Sequence, residues 1–394
     1  EGSNAFAISS KKSATGEPML VINAHQPIEG ATAFYEAHLQ SEEGWNMLGG
    51  LFPGAPLIFH GVSPNLAWAH TVNMQDKVDV FQLQTDKKHP GQYLVDGEWL
   101  TLEKRKVKLH IKGIPFPVSK MAYKSIYGPT VANPKGEFFS MRLPSLMDAM
   151  ALQQWYFMNK AKNWTEFKTA LETNHLAMFN IIYADKQDNI FYVSNGKMPY
   201  RNPDPKYHWN STLPGNTRAT LWDKFKPFNE LPQHFNPQSG YLFNTNHSPF
   251  LATAENENLN PANYDKNDGY ETYHNNRSRR AKDLIDSYPK ISFEDLKKIK
   301  FDRQLPKQIL YPYGYSSDSL FMVDESKYPT LAPLITSLKN WDHVTNPDSR
   351  GALVYNLAYY QISKAMKGNA QSTLTLAQGV EVYQHVYDYL MKNF

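Results

Sequence analysis

Several residues spread along the chain have side chains that could take part in catalysis. Ser3 follows Gly2 directly ahead of an apolar run, and His25, Asn246 and Arg277 stand in short polar stretches further along. A serine hydroxyl becomes an effective nucleophile when a base is close enough to accept its proton. Each residue also has a structural explanation when taken alone: His25 suits a core position, Asn246 a turn and Arg277 a helix end. These residue types permit nucleophilic catalysis without indicating it by themselves.

The order of the surrounding motifs is more informative than any single residue. Gly2-Ser3 is followed by residues 21–27, 50–56, 66–73, 184–190, 240–246, 277–280, 341–342 and 349–351 as recognisable stretches. This ordered set resembles the penicillin acylase family of N-terminal-nucleophile hydrolases, which includes penicillin, cephalosporin and acyl-homoserine-lactone acylases. The resemblance extends from Ser3 to at least Gly351.

The resemblance implies a mechanism centred on Ser3. In the family a precursor cleaves itself at a Gly-Ser bond, here Gly2-Ser3, and exposes a serine with a free α-amino group. Such an amine has a pKa of about 7.7–8.0, so near neutral pH a useful fraction is unprotonated and can act as the general base. Base and nucleophile then belong to one residue, and the substrate is a linear amide.

The resemblance also implies roles for four further residues. The side chain of Asn246 and the backbone N–H of Val72 would form the oxyanion hole, where one donor contributes about 3–4 kcal/mol at the transition state. His25 stands where related acylases carry a histidine or a glutamine that holds the amine or the adjacent backbone. Arg277 matches an arginine that orients the oxyanion asparagine.

A calcium site is implied by the stretch from Asp76 to Asp79. Carboxylates three residues apart, with the carbonyl of Val78 between them, suit an oxygen-seeking cation such as calcium, and penicillin G acylases bind calcium through a similar stretch. The alternative is a solvated strand end. No cofactor is required by the resemblance, and calcium would be structural. The sequence has no His-Glu-x-x-His motif, no phosphate loop and no Gly-rich dinucleotide turn.

Composition excludes several classes of protein. The 41 Lys and Arg residues nearly balance the 38 Asp and Glu residues, so a nucleic acid or an anionic membrane is not an expected partner. No apolar run is long enough to span a membrane. Cysteine is absent, which rules out disulfides and thiolate metal sites and leaves the compartment open.

Hydrophobic periodicity places these motifs on strands first and on helices later. Strands are predicted at residues 4–8, 19–23, 56–60, 66–73, 78–83, 93–100, 104–111, 180–184 and 189–194. Helices are predicted at residues 146–161, 164–173, 278–287, 293–300, 331–341, 351–366 and 373–392. The pattern suggests an α+β layering. With the resemblance it predicts the N-terminal-nucleophile hydrolase fold, a four-layer αββα sandwich with additional helices in the C-terminal half.

The resemblance completes the expected organisation of the molecule. Residues 1–2 would be a remnant before the cleavage site, and residues 3–394 the catalytic chain without the C-terminal part of family chains. An upstream α chain from the same precursor would supply much of the acyl pocket, in the periplasm or outside the cell. Gln26 stands where an aromatic residue commonly lines that pocket. Acyl-homoserine lactones and penicillin-type or cephalosporin-type amides remain alternative substrates. A protein of another class, an aromatic-rich module that binds peptides or glycans without catalysis, remains the rival.

Overall fold

The computed structural model describes residues 2–306, 309–311, 315–316, 318–365 and 374–394. The chain separates into two compact units. The first comprises Glu1–Ser9, Glu17–Asn244 and Ser248–Thr272, and the second comprises Ser10–Gly16, Thr245–His247 and Tyr273–Phe394. The prediction of one catalytic domain over residues 3–394 stays a prediction.

The first unit holds most of the strands and two helices. In chain order they are β1 (Gly2–Ile8), β2 (Met19–His25), β3 (Tyr35–Ser41), β4 (Trp45–Leu51), β5 (His60–Val62), β6 (Leu66–Thr71), β7 (Asp79–Leu83), β8 (Gln92–Val95), β9 (Glu98–Thr101), β10 (Glu103–Leu109), β11 (Val118–Ser125), β12 (Gly128–Ala132), β13 (Phe138–Arg142), α1 (Ala151–Lys160), α2 (Trp164–Glu172), β14 (Asn180–Asp185), β15 (Ile190–Val193), β16 (Leu213–Gly215), β17 (Gln233–Phe235) and β18 (Tyr241–Asn244).

A three-stranded antiparallel sheet, in the order β18-β1-β2, carries the N-terminal strand at its centre. The small side chains of Ala5 and Ala7 on one face of β1 pack with Ala69 and Ile182 of a second sheet, so the two sheets lie face to face. On the opposite face of β1, Phe6 stacks on Phe243 of β18 with the ring centroids 6.5 Å apart. Alternation of side chains along β1 therefore buries both faces of the strand.

The second sheet has seven strands in the order β17-β15-β14-β6-β5-β4-β3. Trp68 and Tyr183 of its outer face are fully buried against α1 and α2, where Phe167 and Leu171 meet them. Inside this sheet Gly49 of β4 faces Gly61 of β5. A Cβ atom on Gly61 would lie 2.2 Å from the carbonyl oxygen of Leu48, so the two strands approach as closely as they do only because both residues are glycine.

The third sheet has six strands in the order β10-β11-β12-β13-β7-β16. Its aromatic core contains Phe81, Tyr127, Trp209 and Trp222. β16 runs parallel to β7, while the other pairs are antiparallel. A separate hairpin joins β8 to β9, and Asp96 at its turn has a positive φ of 48°.

The second unit is mainly helical. Its elements are α3 (Asn276–Ser287), α4 (Phe293–Lys300), β19 (Leu310–Tyr311), β20 (Tyr315–Ser316), α5 (Asp318–Met322), α6 (Ala332–Lys339), α7 (Arg350–Ala365) and α8 (Leu376–Asn393). A core around Leu320, Leu338, Ala358 and Tyr383 holds the later helices together. Within the described ranges, no helix is both long and apolar enough to cross a membrane.

Most predicted elements are present, and two predictions are wrong in an informative way. Residues 56–59 form no strand, because the backbone N–H and C=O of Ile58 bond to the side chain of Asn159 at 3.1 and 2.8 Å. The helix predicted to begin at residue 146 begins at Ala151. Asp148, which precedes the helix, pairs with His175 and Lys197. The pattern also missed β3, β4, β11 to β13 and β16 to β18.

Candidate active site

Ser3 lies on the central strand of the three-stranded sheet. It stands opposite Ala24 of β2, and Gly2 stands opposite His25. The serine is buried with 3% of its surface exposed, and its hydroxyl donates a hydrogen bond of 2.6 Å to the carbonyl oxygen of Gly2. The Ser3 hydroxyl is therefore beside the peptide bond that the sequence predicts to be cleaved. His25 ends β2 and is exposed.

Val72 directly follows β6, whose end is held by a buried polar network. Thr71 donates to Oδ1 of Asn244 at 2.6 Å, and the amide of Asn180 donates to the same oxygen at 3.2 Å and to the carbonyl oxygen of Val72 at 3.3 Å. The hydroxyl of Tyr192 donates to the other side of the Asn180 amide at 3.1 Å. Burial raises the pKa of Tyr192, so this hydroxyl stays a neutral donor. The network fixes the backbone that presents Val72.

The connection from β6 to β7 is also held by side chains. Asn73 donates to the carbonyl oxygen of Asn195 at 2.6 Å and accepts from the backbone N–H of Phe179 at 3.2 Å. Gln75 donates to the carbonyl oxygen of Ser194 at 2.9 Å. Phe179 has a φ of 85°, which is costly for a bulky side chain and persists only when its surroundings enforce it.

An aromatic cluster lies around this strained residue. The ring of Phe59 contacts those of His70, Trp155 and Phe179 at centroid distances of 4.6, 5.1 and 5.2 Å. Burial lowers the pKa of His70 to about 3, so the imidazole is neutral. Its Nε2 accepts a hydrogen bond of 3.0 Å from the indole of Trp155, which places the proton on Nδ1, 3.3 Å from the carbonyl oxygen of Asn180. The cluster therefore carries no charge, and the orientation of its imidazole ring is fixed.

Asn246 and Arg277 lie in the second unit and are bonded to each other. Arg277 Nη2 donates to Oδ1 of Asn246 at 2.8 Å. Because this bond uses the amide oxygen, the Nδ2 group of Asn246 points the other way. Asn246 has a left-handed φ of 61°, and the side chain of Asn275 donates to its carbonyl oxygen at 3.0 Å. Asn275 also caps α3 by accepting from the N–H of Ser278, so one side chain joins the helix start to Asn246.

Sequence reasoning missed Asn180, Tyr192 and Asn275, which support the predicted residues. A polar residue at the start of the apolar run of β14 was the available signal for Asn180, since an unpaired buried amide is costly. Asn275, three residues before Ser278, has the spacing of a helix N-cap. Tyr192 carried no distinctive signal.

The stretch predicted to bind calcium is held by an arginine. Asp79 is 1% exposed, and its two carboxylate oxygens accept hydrogen bonds from Arg201 at 3.1 and 3.2 Å. Trp222 also donates to Asp79 at 2.6 Å. Burial raises the pKa of Asp79, and the bonds from Arg201 and Trp222 oppose that rise. In the described part of the chain no cluster of three His, Asp or Glu residues has metal-binding geometry. As arranged, these residues do not fit a calcium ion.

Comparison with known proteins agrees with the motif order. The sequence profile of the penicillin amidase family matches residues 1–392. The chain belongs to this family. The family resemblance inferred from the ordered motifs is thereby confirmed.

Relatives within the family differ in their named substrates. An acyl-homoserine lactone acylase, PvdQ, from Pseudomonas fluorescens (strain Pf0-1) is 29% identical over 402 residues, which cover 94% of this chain and 50% of that protein. A penicillin G acylase from Escherichia coli is 30% identical over 203 residues, which cover 50% of this chain and 23% of that protein. The chain thus spans about half the length of the first relative.

A solved structure supports the fold. Thermostable penicillin G acylase from Alcaligenes faecalis matches with a TM-score of 0.72 at 20% identity, over 93% of this chain and 64% of that chain. This similarity confirms the predicted fold class. The roles of Ser3, His25, Val72, Asn246 and Arg277 stay predictions.

Proposed function

We propose that the protein containing this chain is an acylase that hydrolyses the linear amide of an N-acylated small molecule, with Ser3 as its N-terminal nucleophile. The observation that carries the proposal is the position of the Ser3 hydroxyl, buried on the central strand and 2.6 Å from the carbonyl oxygen of Gly2. Family membership supports the same reaction class. An upstream α chain and a periplasmic or secreted location are part of the proposal.

Maturation begins with the Gly2-Ser3 bond. The Ser3 oxygen attacks the carbonyl carbon of Gly2, the C–N bond breaks, and the nitrogen takes the proton that the hydroxyl loses. Water then hydrolyses the resulting ester, which leaves a carboxylate on Gly2 and a free amine on Ser3. Nucleophile and base are thus produced together.

In the catalytic cycle the Ser3 amine removes the hydroxyl proton while the oxygen attacks the substrate amide carbon. The tetrahedral oxyanion collapses, the amine product leaves with the proton, and water hydrolyses the acyl ester by the reverse transfers. In this proposal His25 holds the Ser3 amine or the backbone next to it.

The proposal assigns oxyanion stabilisation to the N–H of Val72 and the amide of Asn246. Two observations support it, each within one unit. The buried amide of Asn180 anchors the carbonyl side of Val72. The bond from Arg277 to the amide oxygen orients Asn246 as a donor through Nδ2. Donors fixed before the reaction stabilise developing charge without reorganising.

The aromatic cluster favours an apolar acyl group. Phe59, His70, Trp155 and Phe179 belong to the same unit as Ser3 and Val72; the first two are buried, the other two are half-buried, and none of the four carries a charge. Apolar pockets with few polar groups are typical of small-molecule sites. The relatives named above make N-acyl homoserine lactones and penicillin-type amides the two substrate classes to assay.

The decisive experiment expresses the full precursor as wild type, Ser3→Ala and Ser9→Ala. Ser9 is a matched control, since it is also buried and follows the same strand. Intact mass should show cleavage at Gly2-Ser3 in wild type and Ser9→Ala, and none in Ser3→Ala. Acyl-amide hydrolysis should follow the same division. Cleaved subunits from Ser3→Ala would refute the proposal, and a wild-type Gly2-Ser3 bond that stays intact would favour the non-catalytic binding module.

A further inference from the structure

Arg201 is a cation enclosed by the first unit between two carboxylates. Its side chain is 1% exposed, that of Asp79 is fully buried, and that of Asp76 is 29% exposed. An arginine at such a depth retains its charge, so its surroundings must compensate it.

The contacts of Arg201 use most of its donors. Nε and Nη2 bond to the two oxygens of Asp79 at 3.1 and 3.2 Å, and Nη2 lies 3.3 Å from Asp76. Nη1 donates to the carbonyl oxygen of Asn267, and the guanidinium lies over the ring of Trp209 at 5.4 Å. This is bidentate carboxylate recognition with a second carboxylate beside it.

These contacts join three segments that are distant in the sequence. Asp76 lies on the connection that follows Val72, and Asp79 is the first residue of β7. The backbone N–H of Asp76 donates to the carbonyl oxygen of Asp268 at 2.9 Å. The backbone of Gly269 approaches Asp76 so closely that a Cβ atom on Gly269 would lie 2.7 Å from the Cβ of Asp76. Its φ of 64° is also suited to glycine.

We propose that the guanidinium of Arg201 takes the place of a divalent cation between Asp76 and Asp79, so that this connection is ordered without calcium. A calcium ion at this point would need the carboxylate oxygens that Arg201 already engages. Two carboxylates with one guanidinium also leave less uncompensated charge than two carboxylates alone. The inference concerns how the connection is stabilised and does not depend on the proposed reaction.

The test uses the full protein in wild-type, Arg201→Gln and Arg201→Gln/Asp79→Asn forms. Breaking a buried ion pair by removing one partner is strongly destabilising, and for a chain of this size Arg201→Gln should lower the thermal midpoint by about 4–6 °C. The double variant should recover at least half of that loss, because the fully buried carboxylate of Asp79 is then no longer left charged without its partner, and the remaining carboxylate of Asp76 is 29% exposed and reaches water. Arg218→Gln is the matched control, since Arg218 pairs with Asp96 and Glu98 at the surface and should have little effect.

Calcium is measured in parallel. Exhaustive chelation should leave the wild-type thermal midpoint unchanged. Elemental analysis should find the same calcium content in wild type and in a single Asp79→Asn variant. Calcium that is present in wild type and lost in Asp79→Asn would overturn the proposal, as would a double variant no more stable than Arg201→Gln. Calcium retained by Asp79→Asn is bound elsewhere and leaves the proposal supported.

Discussion

Asn244 and Asn246 are two residues apart, and replacing each with alanine should have opposite consequences. Asn246→Ala removes the proposed oxyanion donor, and one such donor contributes about 2.7–4 kcal/mol to the transition state. We therefore expect kcat to fall by about 10²–10³-fold while cleavage of the precursor and the thermal midpoint stay near wild type. Alanine tolerates the left-handed φ of 61° at this position less well than asparagine does, so a small fall in the thermal midpoint of Asn246→Ala reflects the backbone and not the lost amide.

Asn244 is fully buried and accepts from Thr71 at 2.6 Å and from Asn180 at 3.2 Å. Asn244→Ala leaves two buried donors without this acceptor. At about 1–3 kcal/mol for an unsatisfied group, the variant should lose about 2–4 kcal/mol of unfolding free energy.

The assay measures kcat for a fixed acyl-amide substrate and the thermal midpoint of each processed variant. A large loss of turnover in Asn244→Ala at unchanged stability, with wild-type turnover in Asn246→Ala, would move the oxyanion role two residues upstream. Wild-type turnover in both variants would remove the asparagine donor from the mechanism altogether.

Two further predictions follow from the same site. Arg277→Ala removes a hydrogen bond from a charged donor to Asn246 and should reduce kcat by about 10–100-fold with little change in KM. Steady-state kinetics measure both constants. A wild-type kcat would mean that the Asn246 amide is oriented without Arg277. Acid should destabilise the fold, because burial lowers the pKa of His60 to about 4. The unfolded chain takes up a proton below about pH 6.5 while the folded imidazole stays neutral, so stability is lost as pH falls from about 6.5 to about 4, and thermal midpoints against pH should be flatter for His60→Phe. An equal slope for the variant would show that His60 does not contribute.

The strands next to Ser3 and Val72 could be predicted from the sequence, because each residue stands at the end of a run with strand periodicity. The roles of the two residues stay predictions. The partners that hold Val72 in place could not be predicted, since Thr71 and Asn244 are 173 positions apart in the chain. The same holds for Arg201 and Asp79, which are 122 positions apart. Local spacing carries no information about such pairs, so from the sequence alone Asp79 has the appearance of a metal ligand, whereas in the structure it is the partner of Arg201.

Strand prediction failed where tertiary contacts replaced sheet pairing or where side chains face water. The backbone of Ile58 pairs with Asn159, about a hundred residues away in sequence, so an apolar run there does not become a strand. β3 and β11 are mostly exposed and polar, and their alternation is too weak to distinguish from a loop.

The contact between Gly49 and Gly61 affects what a mutational scan of this protein can reveal. Any side chain at Gly61 meets backbone atoms 2.2 Å away, and one at Gly49 meets the carbonyl oxygen of His60 at the same distance. Substitutions at either glycine should therefore abolish activity, as substitutions of the nucleophile Ser3 should, although neither glycine takes part in the reaction. A selection that scores only survival of activity would rank these glycines beside Ser3. Separating the two groups requires a second score for soluble protein, in which the glycine variants disappear and the Ser3 variants accumulate as uncleaved precursor.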